Sequence, residues 1–185
     1  MERLSDNYYV ERILRGEIVC FAPLLERYSK QVFSLIVRIV GNREDAEELA
    51  QDVFVKVYES LLSFRGDSSF STWIYRIAYN IAVSATRKKT PELISVDEDI
   101  KYDLADEADE QFLEDSDINT RIGYLNCAMK QLLPEERALI TLFYNEGKSM
   151  EEIAVISGLT ETNVKTKIFR VRKKLLILIK TMEEK

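Results

Sequence analysis

The 185-residue sequence predicts an all-α protein: two small helical domains joined by an acidic, flexible linker. Three observations carry that expectation. Apolar residues recur at spacings of three and four, with no sustained alternating run rich in β-branched residues. Residues 90–119 hold twelve acids against one base, Lys101, open around Pro91 and show no helical apolar stripe, the signature of a linker. The charge is segregated: residues 1–89 carry +1, residues 90–119 carry −11 and residues 120–185 carry +4, within a chain of net −6. The acidic total argues against a nucleic-acid binder only until it is divided this way. The expected domains are therefore residues 1–89 and 120–185, with residues 90–119 between them.

Composition removes several functions. No histidine is present, which excludes His-dependent acid–base chemistry, a His–zinc site and a Ser-His-Asp triad. Two cysteines, Cys20 and Cys127, cannot build a disulfide framework or a four-ligand metal site; among apolar neighbours they read as small buried hydrophobes. No phosphate-cradling glycine loop or activated-nucleophile pattern occurs, so neither an enzyme nor a bound cofactor or metal is expected. The N-terminus is polar, and the longest apolar run, Val32 to Val40, is interrupted by Ser34 and Arg38. The expectation is a cytoplasmic protein without membrane insertion.

In the first domain, Asn42 caps a helix with Asp45 at its third position. Ala46, Leu49, Ala50, Val53, Phe54, Val57 and Leu61 form its apolar stripe, and Glu44, Glu47, Glu48, Gln51 and Asp52 its acidic face. That face reads either as solvated surface or as a docking surface for a basic partner. After the Arg65-Gly66-Asp67 turn, a helix is expected from about Ser71 to Arg87, with Ile74, Ile77, Ala78, Ile81 and Ala85 on one side. Tyr75 and Tyr79 face the other way beside Arg76, Asn80 and Arg87, ahead of Lys88 and Lys89. They suit a stacking platform for unpaired bases or a packing surface for a neighbouring helix.

In the second domain, Leu133-Pro134-Glu135-Glu136 opens a helix with proline in the first turn and acids at the positive dipole end. Ser149-Met150-Glu151-Glu152 is a capping box ahead of Ile153, Ala154 and Ile156. Gly158 permits a left-handed turn, Leu159 can plug the core and Thr160 caps the next helix. A short capped helix, a glycine turn and a longer helix make a helix-turn-helix. The longer helix buries Val164, Ile168, Val171 and Leu175 and projects Thr162, Thr166, Phe169, Arg170 and Lys173. From Thr160 to Lys180 it carries seven bases and one acid, Glu161, suited to base edges first and phosphates further along.

These stretches together resemble the bacterial RNA polymerase sigma factors of the sigma-70 family, in the minimal extracytoplasmic-function (ECF) subfamily. DAEELAQDVF at Asp45–Phe54, FRGDSSFSTWIYRIAYN at Phe64–Asn80 and LPEERALITLFYNEGKSMEEIA at Leu133–Ala154, followed by TETNVKTKIFRVRKKL, carry the resemblance in this order. It implies that Glu47, Glu48, Gln51 and Asp52 dock on the clamp helices of the polymerase's largest subunit. Phe64, Arg65, Ser69, Phe70, Tyr75, Arg76, Asn80, Arg87 and Lys88 are implied to hold the −10 element as a single strand, with one base flipped out of the stack. Thr162, Asn163, Lys165 and Thr166 are implied to approach the −35 duplex, with Arg170 and Lys173 on phosphates. The stretch Leu139 to Phe143 is implied to contact the polymerase flap.

The resemblance further implies promoter DNA and core RNA polymerase as partners, and an anti-sigma factor as usual for the subfamily. Primary sigma factors carry a tryptophan pair where this chain reads Arg76-Ile77, which implies weaker promoter melting. The acidic linker takes the place of a folded third domain and is implied to thread toward the polymerase cleft as a nucleic-acid mimic. A stand-alone helix-turn-helix regulator is the alternative, but it leaves the first domain without a task.

Overall fold

The computed structural model describes residues 4–89 and 118–184. Among them the chain is helical throughout, without strands. Helix α1 (Asp6–Leu14) is capped by Ser5, whose Oγ accepts from the Tyr8 amide at 3.3 Å. Asp6 then fastens α1 onto α2 (Phe21–Val40): its carboxylate accepts from the Tyr28 hydroxyl at 2.5 Å and pairs with Arg27. Burial, and then the Asp6 charge and hydrogen bond, push the Tyr28 phenol above its usual range. Helix α2 stops at Gly41, whose φ of +76° suits a residue without a Cβ. Asn42 starts α3 (Arg43–Ser60) as the sequence predicts, its Oδ1 accepting from the Asp45 amide at 3.0 Å. After a 3₁₀ turn at Leu61–Ser63 and a loop, α4 (Phe70–Lys89) completes the first domain.

Helices α2, α3 and α4 pack against one another. Val32, Leu35, Ile36 and Ile39 of α2 meet Ala46, Val53 and Val57 of α3 and Ile74 and Ala78 of α4, all fully buried. Each large side chain here contributes about 1.5–3 kcal/mol relative to remaining exposed. An aromatic cluster of Tyr28, Phe64, Phe70 and Trp73, with ring centroids 5.2–5.7 Å apart, closes the end where the loop enters α4.

The second domain runs α5 (Ile118–Lys130), α6 (Pro134–Ile140), α7 (Met150–Ser157) and α8 (Glu161–Glu183). The expected linker of residues 90–119 lies outside the described residues as far as 117, and α5 takes up its last two positions. Pro134 stands at the start of α6, and the Glu136 carboxylate accepts from the Leu133 amide at 2.9 Å while holding Lys174 of α8 at 2.9 Å. Helix α6 continues into one wide π turn at Thr141–Asn145 before the chain reverses.

One expectation needs correction. Cys127 is exposed, not buried: the neighbouring Ala128 takes the inward position on α5, and a one-residue step of 100° turns the thiol outward. Cys20 is only half-buried. The two domains pack against each other. Helix α6 packs on α2 and α4, helix α7 packs on α4, and the buried apolar residues form one contiguous core. No helix among the described residues is long and apolar enough to cross a membrane, and no group of three or more potential metal ligands occurs there.

Candidate nucleic-acid interface

The helix-turn-helix forms from local signals. Ser149 Oγ accepts from the Glu152 amide at 3.1 Å, and the Glu152 carboxylate accepts from the Ser149 amide at 3.0 Å, closing the capping box that starts α7. Gly158 ends it at φ +73°, and Thr160 Oγ1 accepts from the Asn163 amide at 3.2 Å to start α8. Val164, Ile168, Val171 and Leu175 are buried, so the opposite face of α8 is free. Thr162, Asn163, Lys165, Thr166 and Arg170 are all exposed on it. The Thr166 hydroxyl donates back to the Thr162 carbonyl at 2.9 Å, which leaves its oxygen able to accept. Lys173 is half-buried with its ammonium 4.7 Å from the Phe169 ring centroid. A rigid helix showing short polar side chains first and cations further along fits a major groove.

The single-strand candidates divide into three groups. Arg65, Ser69, Arg76, Asn80, Arg87 and Lys88 are exposed, and Phe64 is half-buried. Ser69 also has a structural duty, its Oγ accepting from the Thr72 amide at 3.1 Å as α4 begins. Phe70 is 2% exposed, at the centre of the aromatic cluster. It supports Phe64 and Trp73 and does not itself face solvent. Tyr75 and Tyr79 are 3% and 8% exposed, so the face expected to offer them is covered. The cover is the second domain. Burial first, then Glu146, holds the Tyr75 phenol well above its usual range, and burial with the charge of Glu135 acts likewise on Tyr79.

The acidic candidates on α3 also divide. Glu47 and Gln51 rim an open groove between α2 and α3, floored by Phe21, Leu25, Phe33, Phe54 and Tyr58. Arg43 is poised at one end, paired with Glu47 at 2.9 Å and lying over the Phe33 ring. Glu48 instead lines a cavity of about 520 Å³ between the domains, bounded by Asp45 and Leu49 on one side and Lys130, Pro134 and Arg137 on the other. Asp52 is exposed and lines neither. In the Leu139–Phe143 stretch, Leu139, Ile140, Thr141 and Leu142 are core residues. Only Phe143, stacked edge-on against the exposed Tyr144 at 4.8 Å, reaches the surface.

Sequence reasoning missed the apolar floor of the α2–α3 groove and the whole set of contacts between domains. The floor had a signal: Phe21, Leu25 and Phe33 sit four and eight apart, so they share one side of α2. The interdomain contacts had none.

Fold and surfaces together define a two-domain helical protein that presents a helix-turn-helix for duplex DNA. The comparisons with known proteins narrow this. Residues 24–92 match the family model for Sigma-70 region 2, and residues 122–175 match that for Sigma-70 region 4. The RNA polymerase sigma-H factor of Pseudomonas aeruginosa is 36% identical, over 91% of this chain and 90% of that protein. The ECF RNA polymerase sigma-E factor of Haemophilus influenzae is 35% identical, over 92% of this chain and 93% of that one. Among solved structures, the fold is similar to CnrH, in complex with the cytosolic domain of CnrY, at TM-score 0.69 and 20% identity, covering 95% of this chain and 97% of that one. It is also similar to the sigma factor RpoE from Bartonella quintana, in complex with the anti-sigma factor NepR, at TM-score 0.61 and 24% identity, covering 86% and 96%. The chain belongs to the sigma-70 family of RNA polymerase sigma factors, in its ECF subfamily. It is an initiation factor and not an enzyme.

Proposed function

We propose that this sigma factor divides promoter recognition between its domains, with core RNA polymerase docking in the α2–α3 groove. An apolar floor with a carboxylate rim suits a partner helix carrying apolar side chains and flanking bases, the chemistry of a helix-in-groove contact. Glu47 and Gln51 make that contact, and Glu48 and Asp52 act only through their charge. The exposed row Thr162, Asn163, Lys165 and Thr166 on α8 reads the −35 element as duplex, and Arg170 and Lys173 position the helix on phosphate. The loop and α4 hold the −10 element through Phe64, Arg65, Ser69, Arg76 and Asn80, with Arg87 and Lys88 on its backbone. The observation that carries this reading is the orientation of α8, with Val164, Ile168, Val171 and Leu175 buried while Thr162, Asn163, Lys165, Thr166 and Arg170 are exposed.

The protein works in the cytoplasm, where its polymerase is, and an anti-sigma factor is a further partner, as for the Bartonella quintana relative of similar fold. Run-off transcription with core polymerase over a promoter library tests the reading. Wild-type chain should start transcripts at a restricted promoter set. Thr166→Ala should change which −35 sequences are used, and Lys173→Ala should lower output from all of them alike. A gel shift on the selected promoters separates the alternative, since a stand-alone regulator would bind them tightly without polymerase.

A further inference from the structure

The cavity of about 520 Å³ lies between the ends of α2, α3 and α4 on one side and the turn from α5 into α6 on the other. Its volume falls within the ~300–1,000 Å³ of small-ligand pockets. Val40, Leu49, Ala85, Leu132 and Pro134 make much of its wall apolar, and charge stands at two places. Asp45 and Glu48 supply carboxylates from α3, and Lys130 and Arg137 supply cations from the second domain. Glu48, Lys130 and Gln131 are exposed, so the cavity has an open mouth.

Arg137 is the unusual member of this wall. It is half-buried beside the C-terminal end of α2, with a terminal nitrogen 3.7 Å from the place a Cβ on Gly41 would take. Its Nε is buried and has no hydrogen-bond partner among the described residues. Burial pulls the guanidinium below its ordinary range, and no carboxylate offsets the loss. A desolvated cation without a counter-ion costs stability, and a buried donor without an acceptor calls for a group that completes it.

We propose that the cavity binds a small zwitterion of dipeptide size, with its carboxylate on Arg137 and Lys130 and its ammonium on Glu48 and Asp45. The planar guanidinium fork matches a carboxylate better than any other common anion of that size. Thr86 donates its hydroxyl to the Val83 carbonyl at 2.7 Å, so toward the cavity its oxygen accepts, as an ammonium requires. A plain anion would meet the two acids, and a plain cation the two bases. A neutral apolar molecule would leave the Arg137 Nε unpaired. Only a ligand charged at both ends satisfies both walls, and the apolar residues between them hold its body. None of these residues is assigned to DNA above, so the site stands whether or not those assignments hold.

Isothermal titration calorimetry of the full chain with leucyl-leucine and alanyl-phenylalanine tests the site. Leucyl-leucine amide lacks the carboxylate, and N-acetyl-leucyl-leucine lacks the ammonium. The expected result is saturable binding of at least one dipeptide at a single site, and about tenfold or weaker binding of each blocked form, the loss of one charged hydrogen bond. Arg137→Gln should weaken the dipeptide by a similar factor and leave the amide unaffected. Its urea midpoint should not fall, because the substitution removes an uncompensated charge. Glu48→Gln should weaken the dipeptide and leave the N-acetyl form unaffected. No saturable binding of either dipeptide would overturn the proposal and leave a cavity that holds water. Equal binding of the blocked forms would overturn it too, since the charged walls would then be idle. A fall in urea midpoint for Arg137→Gln with unchanged dipeptide binding would assign the guanidinium to the end of α2 instead. If Arg137→Gln does not fold, Glu48→Gln and the blocked ligands decide.

Discussion

Helices α4 and α8 both carry donors and bases suited to DNA, yet the fold treats them in opposite ways. Helix α8 is buried on one side and bare on the other, so its polar row meets solvent along its first three turns. Helix α4 is clasped on two sides: α2 and α3 take Ile74 and Ala78, while α6 and α7 cover Tyr75 and Tyr79. On the roles proposed above, the two helices bind different forms of DNA. A duplex reader meets a substrate that is always present and held weakly by one helix, so exposure carries little risk.

The largest expected effect comes from removing the covering element. Ile153 is fully buried in α7, and Ile153→Ala should cost about 2–5 kcal/mol of stability. Urea denaturation should show the loss, and the single-strand affinity of the remaining folded chain should rise. If stability falls while single-strand affinity stays at the wild-type value, α7 is not the cover.

Substitutions on α8 sharpen the other side of the comparison. Lys165→Ala or Thr166→Ala should alter preference at particular −35 positions by about 1–3 kcal/mol, read by competition between holoenzyme and promoter variants. Lys173→Ala should weaken all promoters together and flatten the salt dependence by about one unit. None of these changes should alter single-strand binding by the free chain. Identical profiles for Thr166 and Lys173 would show that the face is wrongly divided.

Acid should separate the two helices without mutation. Burial alone would raise the Glu152 carboxyl, but hydrogen bonds from the Ser149 amide, Lys148 and Thr72 outweigh it and leave the group below its ordinary 4.5. A depressed carboxyl contributes stability that is complete above its unfolded value and lost as pH falls through its folded value. Interdomain distance, read between spin labels at Cys127 and at Leu62→Cys in a Cys20→Ala background, should therefore begin to lengthen below about pH 4.5, and Glu152→Gln should remove that step.

The smallest effect belongs to the exposed Arg43–Glu47 pair. Glu47→Gln should change stability by less than about 1 kcal/mol and leave the domain packing intact, while weakening polymerase binding in a pull-down with core enzyme.

What could be read in advance was local. Asn42, Ser149, Gly158 and Thr160 act on residues three or four positions away, so their roles follow from spacing alone. The four buried residues of α8 follow from periodicity. The fate of Tyr75 was not local, since its choice between base platform and packing surface depends on Glu146, 71 positions further along the chain. Cys127 failed for a smaller reason: with Ala128 adjacent, apolar neighbours set the composition of the region but not which residue faces inward.

The π turn at Thr141–Asn145 has a consequence for how such a protein can diverge. A π turn holds one more residue than the α-helical path it replaces, and that residue rotates everything after it by about a quarter turn. Glu146 is the first residue beyond it. Losing or gaining one position there would swing the Tyr75 partner aside, yet leave α7, α8 and their caps unchanged in sequence. Helix length at this point therefore sets how the two domains meet, independently of the residues that α8 presents.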